Sequence, residues 1–210
     1  MNEFDQKAAG WDNNPMHWDR SLTIANEIIN NIPLNQDMTV LEYGAGTGIT
    51  SFLIKDNVKT ITMMDNSAEM VKIMNEKIRS AKAKNLNAMF FDLEQEPYTS
   101  GRFDFVMTQM VLHHVTDIEN IINRFYNLIN PGGYLAIADL YPEDGSFHGE
   151  GFNGHLGFDV DELATILAKN QFINISHKPC FIINKEISDS ETKQFDVFLL
   201  IANKLNNSPV

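Results

Sequence analysis

Residues 38–48 read Met-Thr-Val-Leu-Glu-Tyr-Gly-Ala-Gly-Thr-Gly, an apolar run that ends in a carboxylate and is followed by three glycines at alternate positions. Val40 and Leu41 suit a strand buried on both faces, and Glu42 falls at its carboxyl end. Gly44, Gly46 and Gly48 remove the side chains that would keep a ligand away from the backbone. The pattern predicts a strand that turns sharply into a helix from Ile49 onward. The first-turn N–H groups of such a helix lack intrahelical partners and suit polar or anionic ligand groups. A dinucleotide fingerprint, G-x-G-x-x-G, begun at Gly44 and Gly46 needs its last glycine at position 49, where this chain has isoleucine. The third glycine comes one residue early, and plain close packing of strand on helix is the competing reading of the turn.

Working outward, apolar runs of strand length alternate with helical patterns. Thr60–Met64 is a buried strand ending at Asp65, and a helix follows near Ser67. An acidic side chain at that strand end can accept two hydrogen bonds from a ribose diol, which serves NAD and S-adenosylmethionine equally; it can also cap the helix. Ala88–Phe91 is a third strand delivering Asp92, and Phe103–Thr108 a fourth. A helix over Asp117–Ile129, a turn at Asn130-Pro131-Gly132-Gly133 and a fifth strand at Tyr134–Leu140 come next. The stretch 141–158 is a glycine-rich loop carrying Phe147, His148, Phe152 and His155, and a helix at Asp159–Lys169 returns the chain to the sheet. Phe172–Ser176 and Phe195–Ile201 succeed one another without a helix, which predicts an antiparallel final pair. Before the first strand, residues 4–14 predict a short helix and turn, and Arg20–Ile32 a helix with Leu22, Ala25, Ile28, Ile29 and Ile32 on its buried face.

The Glu-x-Gly-x-Gly-x-Gly turn, the Leu112-His113-His114-Val115 segment and the Pro131-Gly132-Gly133 turn occur in an order that resembles the class I S-adenosylmethionine-dependent methyltransferases, in the small-molecule, type 11/12-like branch. The resemblance spans about residues 36 to 203. It implies an α/β fold with a Rossmann-like seven-stranded sheet, an antiparallel last strand and helices on both faces. The corresponding domain is 36–205, preceded by a helical extension or lid at 1–35 and followed by a disordered tail at 206–210. It implies S-adenosylmethionine as cofactor, with Glu42 near the amino acid end, Gly44, Ala45, Gly46 and Gly48 forming its seat, Asp65 at the ribose and Asn66 beside it in the cofactor-binding set. Met70, Asp92 and Leu93 would meet the adenine, Gln109 and Met110 would border the methionine and sulfonium, and Trp11 would close over the top. The expected reaction is in-line displacement on the sulfonium methyl by a small-molecule acceptor. His113, His148 and His155 are the candidate proton acceptors, since imidazole titrates near neutral pH, although each also suits loop packing or helix capping. Two other readings share the glycine turn: a non-catalytic S-adenosylmethionine-binding protein and a nicotinamide-dependent oxidoreductase.

Charge and composition narrow the partners. The formal net charge of -12, from 28 acidic and 16 basic residues, opposes binding to a phosphate backbone, so nucleic acid is not expected. The basic residues between Lys72 and Lys84 are interrupted by Glu76 and read as a solvated helix face. No apolar stretch is long enough to cross a bilayer, and the amino terminus lacks the order of a signal sequence. A single cysteine, Cys180, excludes an internal disulfide and suits a cytoplasmic protein. No metal site is expected: Thr108-Gln109 offers no carboxylate at the fourth strand end. The histidines contain no His-x-x-x-His pair, and adjacent His113 and His114 cannot point the same way on a regular element.

Overall fold

The computed structural model describes residues 3–188 and 190–206. Seven strands form one sheet in the order β3-β2-β1-β4-β5-β7-β6. They are β1 (Thr39–Tyr43), β2 (Thr60–Asp65), β3 (Leu86–Phe90), β4 (Phe103–Gln109), β5 (Ile129–Leu140), β6 (Phe172–Ser188) and β7 (Glu191–Lys204). The first five are parallel, and β7 runs antiparallel between β5 and β6. This is the expected α/β architecture with its reversed last strand.

The two-residue period of the strands builds two cores, one on each face. Val40, Phe105, Met107, Ala136, Ala138 and Leu199 face a layer made by α2 (Pro15–Asn31), α3 (Ile49–Ile54) and α4 (Ala68–Ala81). Their sequence neighbours Leu41, Val106, Leu135, Ile137 and Leu200 face α5 (Ile118–Leu128) and α6 (Val160–Lys169). Helix α5 buries Ile118, Ile121, Ile122, Phe125 and Leu128, the stripe of a one-sided helix, and begins where the Asp117 side chain accepts from Asn120 N at 3.0 Å. Each fully buried aliphatic side chain is worth about 1.5–3 kcal/mol. Asp104 ties three strands together, accepting from Thr39 N, Thr39 Oγ1 and Asn130 Nδ2 at 2.8–2.9 Å.

Four expectations are corrected in detail. Helix α2 starts at Pro15 instead of Arg20, because the Asn14 side chain accepts from Met16 N at 3.0 Å and proline sits in the first turn. Its buried face is Arg20, Ser21, Ile24, Ala25 and Ile28, which leaves Leu22 and Ile29 exposed. The Pro-Gly-Gly stretch is an irregularity within β5 opposite Phe103–Phe105, where a Cβ on Gly133 would lie 2.6 Å from the Asp104 carbonyl oxygen. Strands β6 and β7 are a long hairpin that takes up the connection expected between Cys180 and Lys193, with Ile183 opposite Phe195 and Glu186 opposite Thr192. Its alternating charged residues resemble a loop in sequence, because one face of the ribbon lies in solvent.

The amino-terminal segment forms α1 (Glu3–Lys7) and a 3-10 turn (Ala8–Asn13), as the pattern predicts. Residues 207–210 of the expected tail lie outside the described residues. No described helix is long and apolar enough to cross a membrane.

Candidate active site

The order of the sheet reverses between β1 and β4, and a cleft of about 1130 Å³ opens at the carboxyl ends of the strands there. Its floor is the glycine turn. Gly44, Gly46 and Gly48 all have left-handed backbones, with φ of +67°, +57° and +81°. A Cβ on Gly44 would lie 2.3 Å from a methyl of Val111, so the turn admits no side chain there. Gly46 N donates to Asp65 Oδ2 at 2.7 Å and Ala45 N to the Met64 carbonyl at 2.9 Å, which pins the turn to the end of β2. Gly48 stands apart from the cleft wall; a Cβ there would meet Met63 Sδ at 2.8 Å, so it serves helix-on-sheet packing.

The acidic residues divide their work. Glu42 is buried and accepts from both Ser51 N (3.2 Å) and Ser51 Oγ, and burial pushes its carboxyl up to about 7. Asp65 is pushed up to about 6 by burial, against the pull of its bonds from Ser67 N and Gly46 N. The cap of α4 is Ser67, whose hydroxyl accepts from Met70 N at 3.2 Å. Asn66 and Met70 line the cleft. Asp92 is one shell behind, accepting from Asn66 Nδ2 at 3.4 Å and from Glu94 N at 2.8 Å. Leu93 is fully buried in the α5 core and its carbonyl accepts from Arg124, so it takes no part in the cleft wall.

At the end of β4, Gln109 accepts from Thr50 Oγ1 at 3.1 Å and donates to Ser21 Oγ at 3.0 Å, bridging α3 to α2. Met110 follows with φ +55°, a conformation disfavoured for a side-chain-bearing residue, and lines the cleft. The amino-terminal segment crosses above. Asp5 accepts from Ser67 Oγ at 2.6 Å, and Asp12 accepts from Thr47 Oγ1 at 2.5 Å and pairs with Lys77 at 2.7 Å. These anchors bring Trp11 to the glycine turn, its Nε1 3.7 Å from where a Gly46 Cβ would stand, with His17 against its other side at 4.2 Å between ring centres.

The opposite wall is made of imidazoles. His113 is 2% exposed and shares a hydrogen bond of 2.6 Å between its Nδ1 and Oδ1 of Asp139, itself fully buried at the end of β5. Leu140 N also donates to Asp139 Oδ1, at 2.8 Å. His114 and His148 line the cleft beside it, with ring centres 4.3 and 4.8 Å from that of His113. His148 arrives from the 141–158 loop and stacks on Phe152 at 3.7 Å; burial, with the neighbouring His113 and His114, pulls it down to about 3. The loop is internally ordered, since Glu143 accepts from Gly145 N and Phe147 N at 2.7 and 3.0 Å. His155 differs from the other candidates: its Nε2 bonds the Val115 carbonyl at 3.0 Å, its N–H donates to the His113 carbonyl at 2.8 Å, and it does not reach the cleft. His155 holds the loop to the His113 turn.

Sequence reasoning passed over three contributors. Asp139 was legible as an acid at a strand end, but its partner His113 lies 26 residues away and only the fold joins them. Arg20 lines the cleft although 5% exposed; its Nε has no hydrogen-bond partner among the described residues, and burial pulls its guanidinium down to about 10 against the raising charge of Asp139. Lys185, on the part of β6 that reads as a loop, donates to the Phe147 carbonyl and borders the cleft. His148, remote in sequence from His113 and His114 and in no His-x-x-x-His pair, completes a group of three imidazoles with them.

Comparison with known proteins agrees with this geometry. The methyltransferase domain family matches residues 17–177. An uncharacterized methyltransferase of Schizosaccharomyces pombe is 33% identical over 129 residues, covering 58% of this chain and 45% of that protein. The demethylmenaquinone methyltransferase of Listeria welshimeri is 24% identical over 134 residues, 62% of this chain and 57% of that one. The chain thus spans about half the length of these relatives. The fold is also that of Haemonchus contortus phosphoethanolamine N-methyltransferase 2, crystallised with S-adenosyl-L-methionine, with a TM-score of 0.71 at 17% identity over 90% of this chain and 53% of that one. The chain belongs to the methyltransferase domain family, of the class I S-adenosylmethionine-dependent kind.

Proposed function

We propose that this protein transfers the sulfonium methyl group of S-adenosylmethionine to a small-molecule acceptor, with His113 taking the acceptor's proton. The observation that carries the reading is that the buried His113–Asp139 pair opens onto the same cleft as the glycine turn and Asp65. Asp65 accepts from the ribose hydroxyls with the lone pairs its two backbone donors leave over, while Asn66, Met70 and, through Asn66, Asp92 frame the adenine. The cofactor's α-carboxylate supplies the anion that Arg20 lacks, beside Gln109 and Met110 at the methionine end. The segment through Asp5, Trp11 and Asp12 acts as the lid that keeps water from the reacting atoms.

In the step itself the acceptor's lone pair forms the new bond to the methyl carbon as the carbon–sulfur bond breaks, and S-adenosylhomocysteine leaves. Asp139 accepts the Nδ1 hydrogen of His113 and so keeps the Nε2 lone pair for the acceptor's proton. Alignment and the exclusion of water supply most of the acceleration, because the cofactor brings an activated carbon. The names of two similar proteins, a demethylmenaquinone methyltransferase and a phosphoethanolamine N-methyltransferase, support an acceptor that is not a macromolecule. The negative net charge and the single cysteine favour a non-nucleic-acid acceptor and a cytoplasmic setting.

Calorimetry with S-adenosylhomocysteine and NAD on the wild type and Asp65→Ala tests the cofactor. Micromolar binding of S-adenosylhomocysteine, on the order of -8 kcal/mol, weakened in the variant and absent for NAD, is expected. Binding of NAD alone sinks the reading. Binding of S-adenosylhomocysteine without single-turnover methylation across oxygen, nitrogen, sulfur and carbon acceptors favours the non-catalytic alternative.

A further inference from the structure

We propose that His113, His114 and His148 form a binding site for one divalent transition-metal ion of the zinc class, on the acceptor side of the cleft. One ring nitrogen from each of the three lies within 4.8 Å of the other two. The chain brings them there by two routes. His113 and His114 belong to the 3-10 turn Leu112–His114 that follows β4, and His148 comes from the loop after β5. Neighbouring residues diverge on a strand or helix, but on this single turn their rings sit 4.3 Å apart at 45°.

The fit to a metal rests on three features. First, Asp139 engages His113 Nδ1 at 2.6 Å, which leaves Nε2 as the donor and fixes the ring, the carboxylate–histidine arrangement that stands behind most metal-bound imidazoles. Second, His148 Nδ1 is buried with no hydrogen-bond partner among the described residues, a state that disfavours the fold unless something satisfies it. Third, the donors are all imidazole nitrogens, a set that suits zinc, copper or nickel and not the oxygen-seeking magnesium or calcium. Nitrogens around a tetrahedral zinc stand roughly 3.4 Å apart at bond lengths of about 2.1 Å. Closing the present spread to that distance requires His114 and His148 to turn toward His113, which takes His148 off its stack on Phe152. The loop that carries His148 has glycines with left-handed backbones at 145, 149 and 151, which give it the freedom to follow. Three protein ligands leave a fourth position, and the three residues all line the cleft, so that position faces the acceptor.

The site has a consequence that rests on the proton-acceptor reading of His113 given above. One lone pair on Nε2 cannot hold a metal and take a proton, so the loaded protein loses its proton acceptor. Zinc and turnover then exclude each other.

The test uses the full chain stripped with a chelator and titrated with Zn²⁺ by calorimetry and with Co²⁺ by visible absorption. One equivalent of metal with a tetrahedral cobalt spectrum is expected. His114→Ala and His148→Ala should each weaken binding by about tenfold or more, and Asp139→Asn by about 10- to 100-fold. Should a variant fail to fold, bound Zn²⁺ must shield positions 114 and 148 of the wild type from imidazole acylation while His17 and His177 still react. No stoichiometric binding, or binding that survives both alanine variants, overturns the site and leaves the methyl-transfer reading untouched. Metal that binds as described and abolishes single-turnover methylation supports the whole proposal. Metal that binds and is required for methylation overturns the exclusion and the proton-acceptor role together, and leaves the site standing.

Discussion

Asp139 at the end of β5 and His113 beyond the end of β4 meet through a 2.6 Å hydrogen bond in a position almost closed to water, and the far side of the imidazole borders the cleft. A carboxylate buried this deeply is maintained only by partners that compensate its lost hydration, and here they are His113 Nδ1, Leu140 N and, at 3.4 Å, His113 N. The pair therefore holds the ring in one orientation.

Replacing His113 with Ala should lower single-turnover methylation by about 10²- to 10⁴-fold, the usual worth of a positioned base. The Kd for S-adenosylhomocysteine should change little. Equal losses in cofactor affinity and in rate would mean that His113 holds the cleft's shape and takes no proton.

Arg20 gives a prediction with two opposite signs. A buried guanidinium whose Nε has no hydrogen-bond partner, and which forms no ion pair among the described residues, costs stability, so Arg20→Met should raise the Tm of the ligand-free protein by a few degrees. The same change should weaken S-adenosylhomocysteine by about 10- to 100-fold, through loss of a charge-assisted bond worth about 1.5–3 kcal/mol. Binding of 5′-methylthioadenosine, which lacks the carboxylate, should be unaffected. A variant that is less stable and binds both ligands normally would remove Arg20 from the site.

Glu42 should make the fold more stable in mild acid. Its folded carboxyl keeps its proton up to about 7, whereas the unfolded chain releases it near 4.5. The folded state binds the proton more tightly, so its contribution is full below 4.5 and lost as pH rises through 7, with a size on the order of 3 kcal/mol. Asp65, pushed up to about 6, adds in the same direction. Thermal melts from pH 4.5 to 8 should show Tm falling less steeply for Glu42→Gln than for the wild type. Parallel curves would count against the buried-acid account.

Gly44→Ala tests the turn. The added methyl meets Val111 at 2.3 Å in a left-handed backbone, so destabilisation of about 1–3 kcal/mol is expected, together with loss of cofactor binding. Val111→Ala in the same chain should recover part of the stability by making room, and the remaining deficit is the backbone strain. Full recovery would show that crowding alone demands glycine here.

The order of strands and helices, the turn at 44–48 and the acids at the strand ends were all legible in the sequence, because each depends on local periodicity or on a backbone that only glycine adopts freely. The reversed last strand was legible too, since no helix separates β6 from β7. The buried face of α2 was not. Leu22 and Ile29 suit burial by their chemistry, but the helix turns Ser21, Ile24, Ala25 and Ile28 inward, which leaves Leu22 and Ile29 in solvent and brings Arg20 in. The hairpin length was hidden because a ribbon wetted on one face reads like a loop.

Within the site, the sequence alone determined which residues stand at the carboxyl ends of the strands, and hence the cleft floor of Glu42, Gly44, Gly46 and Asp65. Tertiary structure decided which of the expected site residues border the cleft and which pack away from it: Gly48 and Leu93 lie in the core, and His155 holds a loop. It also decided every long-range pairing, including His113 with Asp139, His148 with His114, and Asp12 with Thr47. Such pairings carry no periodic signal, because they depend on where the sheet order brings distant strand ends together and on how loops close over them.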